Sequence, residues 1–185
     1  MAWAVWFTGL PGSGKTTVAQ ETEKQLTLSA GVRVKRLELD QIRKVITPTP
    51  TYSEEERRIV YAALAYMAML LTETDINVII DATGNLRRYR DVARSLIANY
   101  AEVYISCPLE ISIERETRRK AMFSPKDIYE KGKSGKSSTV PGLNAPYEEP
   151  VDPLVTVDTS KTAQKTAGKI AAEAIIEKFG GGTNG

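Results

Sequence analysis

Histidine is missing from this chain of 185 residues, and cysteine occurs once. Without histidine, the most common general base and the most common protein metal ligand are both excluded, so carboxylates must handle any proton transfer. The one cysteine, Cys107, cannot form an internal disulfide and follows the apolar run 103–105. We therefore interpret it as a small buried residue of a cytoplasmic protein.

Long apolar runs and an excess of charge are missing as well. The longest helical apolar stretch, 61–71, is too short to span a bilayer. The chain start carries neither the basic region nor the cleavage site of a signal peptide, so we expect none. The short apolar stretch and the nearly balanced charge predict no membrane partner. Lys and Arg number 25 against 23 Asp and Glu. No field of the whole chain favours nucleic acid, and we regard it as an unlikely class of partner.

A phosphate-binding motif is present near the start of the chain. The segment Gly9-Leu10-Pro11-Gly12-Ser13-Gly14-Lys15-Thr16 matches G-x-x-x-x-G-K-[ST], between an apolar run and a helical pattern. The glycines let backbone N–H groups converge on phosphate oxygens, and the positive end of the following helix faces the same charge. A glycine-rich turn with a surface lysine is the alternative, which the strand, loop and helix order disfavours. The predicted ATP-binding residues here are Gly9, Pro11, Gly12, Ser13, Gly14, Lys15, Thr16 and Thr17.

Two side chains of this motif have predicted chemical roles. We expect Lys15 to reach the β- and γ-phosphates of a nucleoside triphosphate and the hydroxyl of Thr16 to ligate Mg²⁺. Magnesium is therefore the expected cofactor, with ATP as the phosphoryl donor.

Short apolar runs alternate with helical patterns along the chain, which predicts a parallel sheet with helices on both faces. The runs cover 4–7, 32–39, 78–80, 103–105 and 154–157, and helices are predicted over 15–29, 53–72, 87–99 and 162–178. Ser53 and Glu56 have the spacing of a capping box at the start of the second helix. We predict a three-layer α/β fold of the P-loop NTPase type with a mainly parallel five-stranded sheet. A single kinase domain over 1–180 and a flexible tail over 181–185 complete the expected organisation.

The segment 117–149 does not fit this alternation. It carries basic clusters, glycines and prolines with little apolar periodicity, and a loop of this length is usually functional or disordered. We interpret it as a lid over the nucleotide, with an unstructured insertion as the alternative. Within it, 132–137 resembles a second phosphate loop, but Glu130 stands at the first glycine position and no strand precedes it.

Carboxylates follow two of the predicted strands. Asp40 and Arg43 lie one helical turn apart after the second strand, where parallel sheets place ligand groups. This pair could orient an attacking hydroxyl and hold an anionic substrate, or it could be a surface contact. Asp81 ends the third strand, where a carboxylate would reach the Mg²⁺ shell, and a solvated strand-end acid is the alternative.

Arginines are concentrated after these elements. Phosphoryl transfer needs cations around the donor and acceptor phosphates, although a solvated place on a helix face remains the alternative for each one. They are Arg57, Arg58, Arg87, Arg88 and Arg90.

The chain resembles the adenylyl-sulfate kinases, which transfer the γ-phosphate of ATP to the 3′-hydroxyl of adenylyl sulfate. The similarity extends over the whole chain and is most specific from 127–131 through 142–150, which resembles the lid of that family and its closing Gly-x-x-x-Pro-Tyr-Glu-x-Pro segment. The resemblance implies that Asp40 handles the 3′-hydroxyl, that Arg43 and Arg57 bind the phosphosulfate end, and that Arg115 lies by the ATP adenine. It also implies a tendency to form homodimers. The lid and loop residues expected to contact the acceptor are Arg87, Lys131, Val140, Gly142 and Leu143.

The chain departs from the family where the acceptor should bind. The family pattern Phe-Ile-Ser-Pro-Phe/Tyr-Arg after the third strand is replaced by the segment 82–87, of which only Arg87 is retained. The aromatic residue that stacks on the acceptor adenine falls at Val140, the lid lysine at Ser138, and an asparagine of the second helix at Val60. Residues 117–124 resemble an insertion.

These departures leave a second hypothesis. The segment 81–85 followed by arginines resembles the Asp-x-Thr-Asn element of P-loop kinases that phosphorylate hydroxyls on RNA or aminoacyl-RNA, and a small metabolite is a further possible acceptor. The adenylyl-sulfate hypothesis is favoured because the Pro146-Tyr147-Glu148 match is longer and more specific. A P-loop switch or binding module without transfer activity would leave the lid and the Asp40/Arg43 pair unexplained.

Overall fold

A five-stranded parallel sheet forms the centre of the computed structural model, which describes residues 1–118, 128–135 and 137–180. The strand order is β2-β3-β1-β4-β5, and each pair of neighbours is parallel. The strands are β1 (Ala4–Thr8), β2 (Val34–Glu38), β3 (Asn77–Asp81), β4 (Tyr100–Ser106) and β5 (Val155–Asp158).

Helices connect the strands and cover both faces of the sheet. In the described part of the chain they are α1 (Lys15–Ala30), α2 (Leu39–Ile46), α3 (Glu54–Glu73), α4 (Arg87–Leu96), α5 (Leu109–Arg118), α6 (Ile128–Lys133) and α7 (Gln164–Phe179). No helix among those residues is both long and apolar enough to cross a membrane.

The alternating side chains of β1 divide the core into two layers. Val5 and Phe7 face α1 and α7, whereas Ala4 and Trp6 face α3 and α4. All of β1 is buried, because helices cover both faces of the sheet. This burial explains why the strand is almost entirely apolar in the sequence. The predicted three-layer α/β fold is confirmed.

The predicted helices over 15–29, 53–72, 87–99 and 162–178 correspond to α1, α3, α4 and α7, with shifted ends. Ser53 caps α3 by accepting a hydrogen bond from the backbone N–H of Glu56 at 3.2 Å. α4 ends earlier than predicted because Ile97 adopts an extended conformation and is buried in the core. Cys107 is buried, as expected. Residues 119–127 and 136 of the predicted lid, and the predicted tail 181–185, lie outside the described residues.

Candidate active site

The phosphate-binding loop joins β1 to α1 and depends on two glycines with positive φ. Gly12 has φ 78°, and a Cβ there would collide with the carbonyl oxygen of Ser112 on α5. Gly14 has φ 91° at the N-cap of α1, in the left-handed region that favours glycine. The sequence therefore permits a tight turn whose N–H groups and helix terminus suit an anionic ligand.

Residues distant in sequence hold this loop in place. The hydroxyl of Thr159, just after β5, donates to the carbonyl oxygen of Ser13 at 2.6 Å, and the hydroxyl of Tyr129 on α6 donates to that of Pro11 at 2.8 Å. Arg115 donates to Thr159 through Nη1 at 3.1 Å and Nη2 at 2.9 Å. Arg115 therefore supports the phosphate loop through Thr159, and its expected place near the ATP adenine stays a prediction.

A hydroxyl and a buried carboxylate meet at the end of the phosphate loop. Thr16 Oγ1 donates to Asp81 Oδ1 at 3.2 Å, and Asp81 is 3% exposed at the end of β3. Burial raises the pKa of Asp81 from 3.8 to about 6, against the opposing charges of Lys15 and Arg36. Arg36 on β2 approaches Asp81 Oδ2 at 3.3 Å, so the two carboxylate oxygens have different partners.

This pair fits a nucleotide-bound Mg²⁺. Within the residues the structure describes, no group of three or more Asp, Glu, Cys or His side chains could hold a metal by itself. Mg²⁺ in phosphoryl-transfer sites usually takes only one or two carboxylates, with substrate phosphates and waters as its other ligands. Thr16 and Asp81 provide a hydroxyl and a carboxylate where such a metal would be needed.

One cavity of about 400 Å³ adjoins the phosphate loop. It lies between the carboxyl ends of the strands, α2, the start of α3 and the segment 137–141. Nine predicted site residues line it: Pro11, Lys15, Thr16, Asp40, Arg43, Arg57, Asp81, Lys131 and Val140.

Arg43 is held at the cavity wall by an acid and an aromatic ring. Its Nη1 lies 2.7 Å from Glu56 Oε1, and its guanidinium lies 5.0 Å from the centroid of the Tyr52 ring. Burial raises the pKa of Glu56, but hydrogen bonds from Thr51, Arg43 and Tyr52 outweigh it and lower that pKa to about 2. Glu56 is therefore ionised near neutral pH and keeps Arg43 in position.

Arg57 joins three segments around the same cavity. Its Nε donates to the carbonyl oxygen of Tyr52 at 3.1 Å, Nη1 to Asn85 Oδ1 at 3.2 Å, and Nη2 to the carbonyl oxygen of Thr139 at 2.7 Å. A guanidinium has five N–H donors, so two can still face an anionic substrate.

The structure places three predicted acceptor residues away from this cavity. The backbone N–H of Arg87 donates to Glu148 Oε2 at 2.7 Å, and its Nε donates to the carbonyl oxygen of Glu149 at 2.8 Å. Gly142 and Leu143 line a second cavity, between the phosphate loop and α5. Arg87 is bonded to the segment 139–149, to which Gly142 and Leu143 belong, and the direct contact of all three with an acceptor stays a prediction.

Two arginines near the candidate site make contacts that the sequence did not predict. Arg36 contacts Glu23 at 3.1 Å and Glu38 at 2.9 Å besides Asp81, and this grouping depends on the register of β2 against β3. Arg90 is fully buried, pairs with Glu102 at 3.0 Å and donates to the carbonyl oxygen of Glu148 at 2.8 Å. The close spacing of Arg90 to Arg87 was noted in the sequence, but no local pattern showed that it would be buried.

The phosphate loop, the hydroxyl–carboxylate pair and the adjoining cationic cavity together define a P-loop kinase. The family model for adenylylsulphate kinase matches residues 1–158. The chain belongs to the adenylylsulphate kinase family.

Similar proteins support this membership. A probable adenylyl-sulfate kinase of Archaeoglobus fulgidus is 37% identical over 161 residues, which cover 87% of this chain and 98% of that protein. The adenylyl-sulfate kinase of Halothermothrix orenii is 35% identical over 167 residues, covering 90% and 85% of the two chains. The Mycobacterium tuberculosis APS kinase CysC, solved in complex with AMPPNP and APS, matches with a TM-score of 0.82 at 26% identity, covering 94% of this chain and 97% of that one.

Proposed function

We propose that this protein transfers the γ-phosphate of ATP to the 3′-hydroxyl of adenylyl sulfate, giving 3′-phosphoadenylyl sulfate and ADP. The observation that carries this proposal is the single cavity in which the phosphate loop meets Asp40, Arg43 and Arg57. Family membership favours adenylyl sulfate as the acceptor, and the alternative of an RNA, aminoacyl-RNA or other hydroxyl is not favoured.

The donor side of the site consists of the phosphate loop and the start of α1. Backbone N–H groups of 12–17 hold the β- and γ-phosphates, and Lys15 places its ammonium group against the oxygens that gain charge. Thr16 and Asp81 would hold Mg²⁺, which would neutralise the negative charge that develops on the phosphate oxygens.

The acceptor side of the site consists of Asp40, Arg43, Arg57 and Lys131. The 3′-oxygen forms the new bond to the γ-phosphorus while the bond to the β–γ bridging oxygen breaks. Asp40 accepts the hydrogen bond of the 3′-hydroxyl and orients its lone pair. The proton passes along this hydrogen bond to the Asp40 carboxylate as the new P–O bond forms, and from there to solvent.

We also propose that 1–180 acts as one kinase domain with a lid over 117–149, that the protein is cytoplasmic, and that it forms homodimers. The resemblance of the chain to this family supports the dimer, and the exposed apolar side chains of α2 and α3 are compatible with it.

The proposed function is tested by transfer of labelled γ-phosphate from ATP to three acceptors: adenylyl sulfate, a 5′-hydroxyl RNA and a small sugar. Adenylyl sulfate should be labelled in a Mg²⁺-dependent reaction, while the other two remain unlabelled. Lys15→Ala serves as the control for contaminating kinases. Labelling of the RNA or the sugar, with adenylyl sulfate inert, would overturn the acceptor assignment.

A further inference from the structure

The loop that follows β3, 82–86, differs from the family pattern and has a clear structural task of its own. Asn85 in this loop is 3% exposed, so its amide and backbone groups need protein partners. Those partners lie on α3 and on the closing segment of the lid, here defined as 139–149. The loop therefore connects the helix that carries Arg57 with the segment that closes the cavity.

The side-chain amide of Asn85 has one acceptor and one donor contact, which fix its orientation. Oδ1 accepts from Arg57 Nη1 at 3.2 Å, and Nδ2 donates to the carbonyl oxygen of Pro146 at 2.9 Å. A guanidinium can only donate and a carbonyl can only accept, so the reversed amide would lose both hydrogen bonds.

Backbone contacts extend the same connection. The carbonyl oxygen of Asn85 accepts from the N–H of Glu148 at 2.7 Å. Arg90 donates to the carbonyl oxygens of Gly84 and Glu148, from a position that is fully buried. The loop and the closing segment are thus tied at adjacent residues.

Arg57 depends on both sides of this connection. Its Nη1 bond to Asn85 and its Nη2 bond to the carbonyl oxygen of Thr139 hold the guanidinium plane at the cavity wall. Removing the Asn85 amide leaves Arg57 with Tyr52 and Thr139 alone and releases Pro146. The orientation of Arg57 would then be less fixed, and the closing segment would keep the backbone bond to residue 85 and the bonds from Arg87 and Arg90.

We propose that Asn85 is a positioning residue for acceptor binding, which orients Arg57 and couples that orientation to the closing segment of the lid. The proposal rests on the proposed function, because it assigns Arg57 to the anionic end of the acceptor. Within the described residues, the hydrogen bonds of Asn85 reach Arg57, Pro146 and Glu148 and none of the phosphate loop. The loss of Asn85 should therefore weaken acceptor binding much more than ATP binding.

The test compares Asn85→Ala and Asn85→Leu with Asn77→Ala. Leucine keeps the volume of the side chain without its hydrogen bonds. Asn77 is the matched control, because its amide also joins two segments: Oδ1 accepts from the N–H of Trp3 at 3.1 Å and Nδ2 donates to the carbonyl oxygen of Arg33 at 3.0 Å. It stands at the start of β3, far from the cavity.

Both Asn85 variants should raise the KM for adenylyl sulfate roughly tenfold. Each variant loses the hydrogen bond to the charged Arg57 and the hydrogen bond to the neutral carbonyl group of Pro146. The KM for ATP should stay within about twofold of the parent value, and Asn77→Ala should change neither KM. Recovery of acceptor KM in Asn85→Leu would show that volume alone matters and would overturn the proposal. An equal rise in both KM values, or no rise in either, would also overturn it.

Hydrogen exchange provides a readout that does not depend on turnover. Amide protons of 139–149, including that of Glu148, should exchange about tenfold faster in Asn85→Ala than in the parent. Unchanged exchange in this segment would refute the coupling. If the parent protein fails to phosphorylate adenylyl sulfate, the proposed function fails, and the exchange experiment still decides whether Asn85 holds the lid.

Discussion

Asp81→Asn should stabilise the folded protein near neutral pH while weakening its use of Mg²⁺. The parent holds a carboxylate at 3% exposure, and its desolvation is only partly offset by Lys15 and Arg36. An asparagine has nearly the same shape and carries no charge, and it can still accept from Thr16. Arg36 keeps Glu23 and Glu38 as partners, so its own charge remains compensated.

The magnitude follows from the difference between the pKa of Asp81 in the folded protein, about 6, and its ordinary value, 3.8. This difference corresponds to about 3 kcal/mol, at 1.36 kcal/mol per pKa unit. Because the folded pKa is raised, the stabilising contribution is fully present below pH 3.8 and is lost as the pH rises through 6. The asparagine variant has no such loss, so its advantage should grow by roughly 2–3 kcal/mol between pH 4 and pH 8.

Urea denaturation of parent and variant at pH 4, 6 and 8, in the presence of EDTA, measures this change. Asp152→Asn is the control, since that residue is exposed and its substitution should alter the free energy of unfolding equally at each pH. If the free-energy difference between Asp81→Asn and the parent is the same at pH 4 and pH 8, Asp81 is not a strained buried acid. In transfer assays the variant should need more Mg²⁺, and Mg²⁺ titrations that overlay the parent would exclude Asp81 from the metal site.

Three further substitutions test the cavity. Lys15→Ala should lower kcat roughly 10²–10³-fold with little change in Tm, and near-normal turnover would refute its role at the phosphates. Asp40→Asn should lower kcat far more than it changes the KM for ATP, because the contact with the acceptor hydroxyl matters most in the transition state; a large loss of ATP affinity at unchanged kcat would instead assign Asp40 to the metal. Val140→Phe should lower the acceptor KM by a factor that corresponds to at most roughly 1–3 kcal/mol of stacking energy. An unchanged or higher KM would show that residue 140 does not face the acceptor base.

The phosphate loop could be predicted from the sequence, because the loop depends on residues that are adjacent in the chain. Gly12 and Gly14 need left-handed backbone conformations, and their spacing to Lys15 and Thr16 is the motif itself. The central strands β1 and β3 could be predicted equally well, since burial on both faces makes each a nearly continuous apolar run. Helix α2, which carries Asp40 and Arg43, has only eight residues, and α5 and α6 are also short. Their apolar periodicity is too brief for these three helices to be predicted from the sequence.

The contacts of the candidate site were harder to predict from the sequence, because they join residues far apart in the chain. Arg36 reaches Asp81 across neighbouring strands, and Arg57 meets Asn85 and Thr139 from three separate segments. Arg87 was expected to contact the acceptor on the strength of its retained position. In the structure it binds the segment 139–149, because the first turn of α4 faces Glu148 and Glu149.

The position of β1 in the sheet has a consequence for synthesis on the ribosome. β1 is made before both strands that it pairs with: β3 follows after about 70 residues and β4 after about 90, or roughly 4–18 s at 5–20 residues per second. Thr8 at the end of β1 can form its hydrogen bond to Tyr147 only later still, because that residue is made near the end of the chain; the two hydroxyl oxygens lie 2.9 Å apart in the folded protein. An exposed apolar strand therefore persists through much of translation, and we expect the nascent chain to need chaperone protection well before it can bind nucleotide.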